Sequence, residues 1–197
     1  MTNKFFSLIL SLCVLTFFSF SFHTNKVNVN KNNSTVIWTG SKPTGSHTGN
    51  VSIKSGYLTF DHGRLVGGNF TIDMTSITCT DIEKESKNKY FVDHLKDEDF
   101  FDVTEFPEAN LNIKKVKRLN AQEYEMSGEM TIKGITNDLT FTSEVKLTGN
   151  SYVAIAKIII DRTKYGVEYK SANVFKNLGD KFIYDEIEFD IFLVSEK

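Results

Sequence analysis

Glu123-Tyr124-Glu125-Met126-Ser127-Gly128-Glu129-Met130-Thr131-Ile132 is the stretch that decides the fold. Tyr124, Met126, Met130 and Ile132 alternate with Glu123, Glu125, Ser127, Glu129 and Thr131. A period of two puts the apolar set on one side of an extended chain and the wet set on the other. The pattern recurs outward in both directions. Downstream, Leu139, Phe141, Val145 and Leu147 alternate with Asp138, Thr140, Thr142, Glu144 and Lys146, and Ile187, Phe189, Ile191 and Leu193 with Glu186, Glu188 and Asp190. Upstream, Ala109, Leu111 and Ile113 alternate with Asn110, Asn112 and Lys114, and Phe70, Ile72 and Met74 with Asn69, Thr71 and Asp73.

Turn chemistry separates these runs: Asp61-His62-Gly63, Lys133-Gly134 and Gly149-Asn150. The only prolines, Pro43 and Pro107, fall at loops or strand starts, where a missing backbone donor does no harm. The predicted strands are Thr35–Gly40, Thr48–Phe60, Leu65–Met74, Glu108–Lys117, Glu123–Ile132, Asp138–Leu147, Tyr152–Asp161 and Ile183–Val194. Eight strands with one apolar face each, and no long amphipathic helix to cover them, bury that face most simply by closing into an antiparallel barrel. At this size the interior is just filled by side chains or holds one small ligand. Two stretches break the alternation. Asp81 to Phe106 has mixed three-to-four spacing at Ile82, Tyr90, Phe91, Leu95, Phe100 and Phe101, which predicts one or two short helices in a long insertion. Thr163 to Asp180 is irregular.

The first segment differs from all that follows. Lys4 precedes an apolar run from Phe5 to Phe22, with small Ser19 and Ser21 before a cleavage point, so residues 1–21 read as a secretory signal peptide. A retained anchor is the competing reading, but Ser7, Ser11, Thr16, Ser19 and Ser21 punctuate the run. Leu12 before Cys13 is not the small residue that lipoprotein processing wants. The expectation is an exported, periplasmic protein that is not a lipoprotein, with residues 22–33 a flexible N-terminal segment and 34–197 the folded domain. Export leaves Cys79 as the lone cysteine, so no internal disulfide is available and the core must supply stability. Cys79 reads as a small buried residue. Removing Lys4 from 23 basic residues leaves 22 against 25 acidic ones, a balance that offers nothing to nucleic acid. The cluster Lys114, Lys115, Lys117, Arg118 reads as a solvated strand edge.

Several stretches together resemble the YceI-like family, the polyisoprenoid-binding periplasmic proteins. They are Gly45-Ser46-His47-Thr48-Gly49; Gly67-Gly68-Asn69-Phe70-Thr71-Ile72-Asp73-Met74-Thr75-Ser76-Ile77; His94-Leu95; and Asp99-Phe100-Phe101-Asp102-Val103 leading to Phe106-Pro107-Glu108-Ala109. Gly128-Glu129-Met130-Thr131-Ile132-Lys133-Gly134-Ile135-Thr136 and Asp161-Arg162-Thr163-Lys164-Tyr165-Gly166-Val167 complete the set. The resemblance implies an extended lipocalin-like barrel that takes a long prenyl or similar alkyl chain, with no reaction catalysed and no cofactor.

Aromatic residues furnish the expected tunnel. Of 17 Phe, those at positions 5, 6, 17, 18 and 20 leave with the leader, so 12 remain beside 7 Tyr and Trp38. Trp38, Phe60, Phe70, Phe100, Phe101, Phe106, Tyr124, Phe141, Tyr165 and Phe175 occupy inward strand positions or the two insertions and are the candidate lining. Mutual packing is the plain alternative for each. Arg162 is the candidate cationic contact to a phosphate or quinone oxygen, with a fixed salt bridge as its other reading. His94 is a second headgroup candidate. His23 falls in the flexible start and His62 in a turn, and no histidine has tight metal-ligand spacing, so no metal is expected. An enzyme acting on a lipid or a small exported metabolite is the alternative function; it would use Asp99, Asp102, His94 or Arg162. Phe182, Tyr184 and Phe192 are expected to face outward and mark either a protein contact or a homodimer seam.

Overall fold

Tight turns set the register. His62 and Gly63 have φ of 47° and 76°, and Lys133 and Gly134 have 50° and 73°. Two successive positive φ values twist a two-residue loop in the sense that flanking strands require. The alternating segments they join are extended, as the periodicity predicts. The computed structural model describes residues 24–196, and its strands are β1 (Thr24–Asn28), β2 (Thr35–Lys42), β3 (Gly45–Asp61), β4 (Arg64–Asp73), β5 (Glu108–Arg118), β6 (Glu123–Ile132), β7 (Ile135–Thr148), β8 (Ser151–Asp161) and β9 (Glu186–Val194).

All strand pairings are antiparallel. The order β3-β2-β9-β8-β7-β6-β5-β4 returns to β3, because β3 pairs with β2 on one edge and β4 on the other. That closure makes the expected eight-stranded barrel. The expectation of a flexible segment at 22–33 is corrected where the structure describes it. Thr24–Asn28 pairs with Tyr57–Asp61, and Asn30 caps a 3-10 turn at Lys31–Asn33 that leads into β2. The cause is a length mismatch. β3 has 17 residues and β2 only 8, so β2 leaves the far end of that edge bare and β1 covers it. Strand β9 begins at Glu186 rather than Ile183, since the carbonyls of Ile183 and Tyr184 accept from Arg162. The expected leader lies outside the described residues. Among the described residues no helix is long and apolar enough to cross a membrane.

The two barrel ends differ. At one end stand the turns at His62-Gly63 and Gly149-Asn150, where Phe60 stacks on Tyr152 at 4.3 Å between ring centroids. Both irregular stretches lie at the other end. The first holds helix α1 (Glu85–Lys96), and a 3-10 turn at Met74–Ser76 precedes it. The outer face carries cross-strand pairs, Lys157 to Glu188 at 2.6 Å and Lys117 to Glu125 at 3.6 Å, with Lys114 paired to Glu129. These exposed pairs each contribute little. They account for Lys114 and Lys117, two of the four residues of the basic cluster, as part of a solvated strand face.

The second stretch is organised by one buried cation. Arg162 is 1% exposed. It donates through Nη1 to the Val167 carbonyl at 2.7 Å, through Nε to Tyr184 and through Nη2 to Ile183, and it pairs with Asp185 Oδ1 at 3.2 Å. Asp185 Oδ2 in turn accepts from Ser171 at 2.9 Å and Asn173 at 2.7 Å. A guanidinium fork satisfied in this way pins three loop segments at once.

Close approach is equally specific at Gly49, where a Cβ would stand 1.8 Å from the Thr78 carbonyl oxygen. Gly49→Ala is expected to destabilise the barrel by about 3 kcal/mol or more. Gly40→Ala, with nothing within 4 Å of its added Cβ, should stay within about 0.5 kcal/mol of the parent. Urea denaturation of both variants checks the contrast. Arg162→Met strands Asp185 and three carbonyls, and the same measurement should register a loss of about 3–5 kcal/mol; a loss below 1 kcal/mol would contradict the pinning role.

Candidate functional site

The inner faces of β2 to β9 converge on a cavity of about 320 Å³. An engineered apolar cavity of about 150 Å³ already admits benzene, so this volume exceeds a packing fault and has room for an apolar guest. Hydrocarbon lines nearly all of it: Met126, Met130 and Ile132 from β6, and Ile187, Phe189, Ile191 and Leu193 from β9, the same parity that the sequence alternation assigns inward. Space exists because the inward positions of β8 include Ala154 and Ala156, with Ala109 on β5. Larger residues at those positions would fill the lumen.

One end is plugged. Phe60, Tyr152, Tyr124 and Val145 pack there and lie outside the cavity lining. Toward the other end the lining reaches the exposed Lys42, Gly45 and Tyr184. The polar side chains at this end of the lining are Ser41, Lys42, His47, Arg162 and Tyr184.

The candidate residues divide accordingly. Trp38, Phe70, Phe100, Phe101 and Phe141 line the cavity, with Trp38 Nε1 donating to the Thr78 carbonyl at 3.1 Å. Phe60 and Tyr124 have the correct parity but sit in the plugged end. Phe106 packs over the Lys133-Gly134 turn, its ring 3.0 Å from where a Gly134 Cβ would stand. Tyr165 is buried away from the cavity, and burial pushes its phenol up, with Asp161 adding to the shift. Phe175 is 47% exposed on the irregular loop.

Arg162 borders the cavity, but its fork is spent on the loop carbonyls and Asp185, which is the salt-bridge reading of this residue. Burial pulls its pKa down and the Asp185 and Asp161 charges oppose that. His94 stands beside the lining, edge-on to Phe100 at 5.1 Å and to Tyr169 at 4.6 Å. Its Nε2 is buried without a hydrogen-bond partner among the described residues. Asp99 is exposed, Asp102 occupies a positive-φ loop position, and neither borders the cavity, so the four groups of the enzyme reading do not assemble. Phe182 is half-buried against Tyr184, ring edge to face at 5.2 Å, while Tyr184 and Phe192 are exposed.

Sequence spacing missed one constellation. Residues 78–80 run along β3, with Thr78 N–H on the Asn50 carbonyl at 3.0 Å and Thr80 N–H on that of Thr48 at 2.9 Å. This brings Cys79 and Asp81 to His47. Asp81 Oδ2 lies 2.9 Å from His47 Nδ1, and its Oδ1 accepts from the Cys79 thiol at 3.2 Å and from Thr48 N–H at 3.0 Å. Burial pushes the Asp81 carboxyl up, but these donors outweigh it and hold the group down at about 2. Burial, with Asp81 beside it, pushes the Cys79 thiol up, which makes it a poor nucleophile.

Comparison with known proteins agrees with this architecture. Residues 27–194 match the family model of the YceI-like domain. Protein YceI of Shigella flexneri is 30% identical over 96 residues, 48% of this chain and 45% of that protein. A UPF0312 protein of Staphylococcus aureus is 34% identical over 94 residues, 44% and 52% of the two chains. The chain spans about half the length of the curated relatives it matches. Among solved structures, Burkholderia cenocepacia BcnA superposes with a TM-score of 0.70 at 20% identity, covering 85% of this chain and 99% of that one. A polyisoprenoid binding domain from Saccharophagus degradans superposes with a TM-score of 0.65 at 15% identity, covering 89% and 99%. With nearly all of the described barrel inside the matched span, the chain belongs to the YceI-like family.

Proposed function

We propose that the protein is exported and carries a long apolar chain of isoprenoid type in its lumen, as a binding protein rather than an enzyme. The observation that carries this reading is the hydrocarbon-lined, one-ended cavity of about 320 Å³. Enclosed hydrocarbon gains about 25 cal/mol per Å². A few hundred Å² therefore offsets an association cost of several kcal/mol without any polar contact. The methionines at 126 and 130 adapt to a flexible occupant better than branched residues do. Support also comes from the structural neighbour whose name describes polyisoprenoid binding. The tail lies against Ala154, Ala156 and the plugged end, and the polar end of the cargo lies at Ser41, Lys42 and Tyr184, rather than at Arg162, whose donors are already committed.

Native mass spectrometry of protein purified from its own compartment is expected to reveal a co-purifying isoprenoid. Ala156→Phe, which fills lumen rather than displacing packed neighbours, should weaken capture of a fluorescent alkyl probe by about tenfold or more while the far-UV spectrum stays that of a barrel. Repeated recovery of empty protein, or equal capture by a folded Ala156→Phe variant, would overturn the carrier reading.

A further inference from the structure

We propose that His47, Cys79 and Asp81 form a binding site for a borderline divalent transition metal of the Zn²⁺ class at the cavity rim. Three donors of different chemistry, an imidazole nitrogen, a thiol sulfur and a carboxylate oxygen, lie within 4.8 Å of one another. A tetrahedral Zn²⁺ takes sulfur at about 2.3 Å and nitrogen or oxygen at about 2.0–2.1 Å. Those bond lengths place neighbouring ligand atoms roughly 3.3–3.6 Å apart, the longer edges being those to sulfur. The observed separations are 3.2 Å from Cys79 Sγ to Asp81 Oδ1 and 2.9 Å from His47 Nδ1 to Asp81 Oδ2. The two contacts fall on different oxygens of the one carboxylate and the three donors span at most 4.8 Å, so side-chain movement of about an ångström gathers them around the ion.

The donors are held in place beforehand. Cys79 and Asp81 lie on the segment bonded along β3, and Asn88 of α1 fixes that segment by donating to the carbonyls of Cys79 at 2.8 Å and Ile82 at 3.0 Å. The Phe91 ring packs on His47 at 4.7 Å and orients the imidazole. Thr48 N–H on Asp81 Oδ1 supplies the outer hydrogen bond that ligating carboxylates usually have. A thiolate selects a Zn²⁺-class ion over Mg²⁺ or Ca²⁺. On binding, the thiol proton that Cys79 shares with Asp81 goes to solvent, and the neutral imidazole, whose Nδ1 hydrogen faces Asp81 in the metal-free protein, shifts that hydrogen to Nε2 so that Nδ1 can ligate. Three protein ligands leave the fourth tetrahedral position to water. His47 and Asp81 are both about one-third exposed, which gives the ion its path to the buried sulfur.

The test uses the full chain carrying Cys13→Ser, so that Cys79 is its one thiol, stripped with chelator and titrated with Co²⁺. One equivalent should bring up the near-ultraviolet thiolate-to-cobalt charge-transfer band and the intense visible bands of four-coordinate Co²⁺, and Zn²⁺ should abolish both. Cys79→Ser should remove the charge-transfer band, and His47→Ala should weaken Co²⁺ binding by more than about tenfold, with circular dichroism verifying the fold. Because the band reports thiolate ligation in the unsubstituted site, its absence at saturating Co²⁺ overturns the proposal even if a variant fails to fold. Unchanged Co²⁺ affinity in a folded His47→Ala protein overturns it too. Neither readout depends on lipid in the lumen.

Discussion

Closure of the sheet through β3 is the constraint on which the rest of the structure depends. At 17 residues this strand is long enough to pair with β4 on one edge and with β2 and β1 in succession on the other. Once it does so, neither edge of β3 lacks a partner strand, and every inward side chain must share one interior. Neither the alternation nor the turns alone would create a lumen. A sheet with the same pattern but an unpaired edge would need a second layer to cover it.

Much of this architecture was legible because period-two alternation and turn chemistry are local. Glu123–Ile132 is the strand that the pattern marks, and the other strands differ from their expected bounds by a few residues at the ends. Depth along the barrel is not local, and there the reading thinned out. Phe60, Tyr124, Phe70 and Phe141 share inward parity, yet two plug an end and two border the cavity. The sequence does hold a signal for the hollow part in Ala154 and Ala156, small residues at inward positions, which an eye set on aromatics passes over. The loop residues were harder still. Arg162 finds Asp185 across 23 positions, and His47 finds Asp81 across 34, separations that no motif spacing encodes. The N-terminal strand, Thr24-Asn25-Lys26-Val27-Asn28, has almost no apolar face and forms only because a vacant stretch of β3 awaits it.

Ionisable chemistry beside the lumen gathers at the end that holds the insertions. The buried Arg162–Asp185 network and the His47–Cys79–Asp81 group both lie there, while the opposite end is closed by stacked rings. In the proposed carrier, rigidity and recognition are thereby separated in space. The barrel wall offers an indifferent hydrocarbon surface, and the loops above it are left to discriminate.

A lumen stopped at one end by the Phe60–Tyr152 stack imposes an order of events on any occupant. Among the described residues there is no through-passage, so a guest would thread in leading with one terminus and back out with that terminus last. The distance from rim to stopper then acts as a gauge: a chain shorter than this depth leaves void behind it, and a longer one protrudes. Shifting the stopper by a single ring would therefore recalibrate which lengths fit while leaving the doorway untouched.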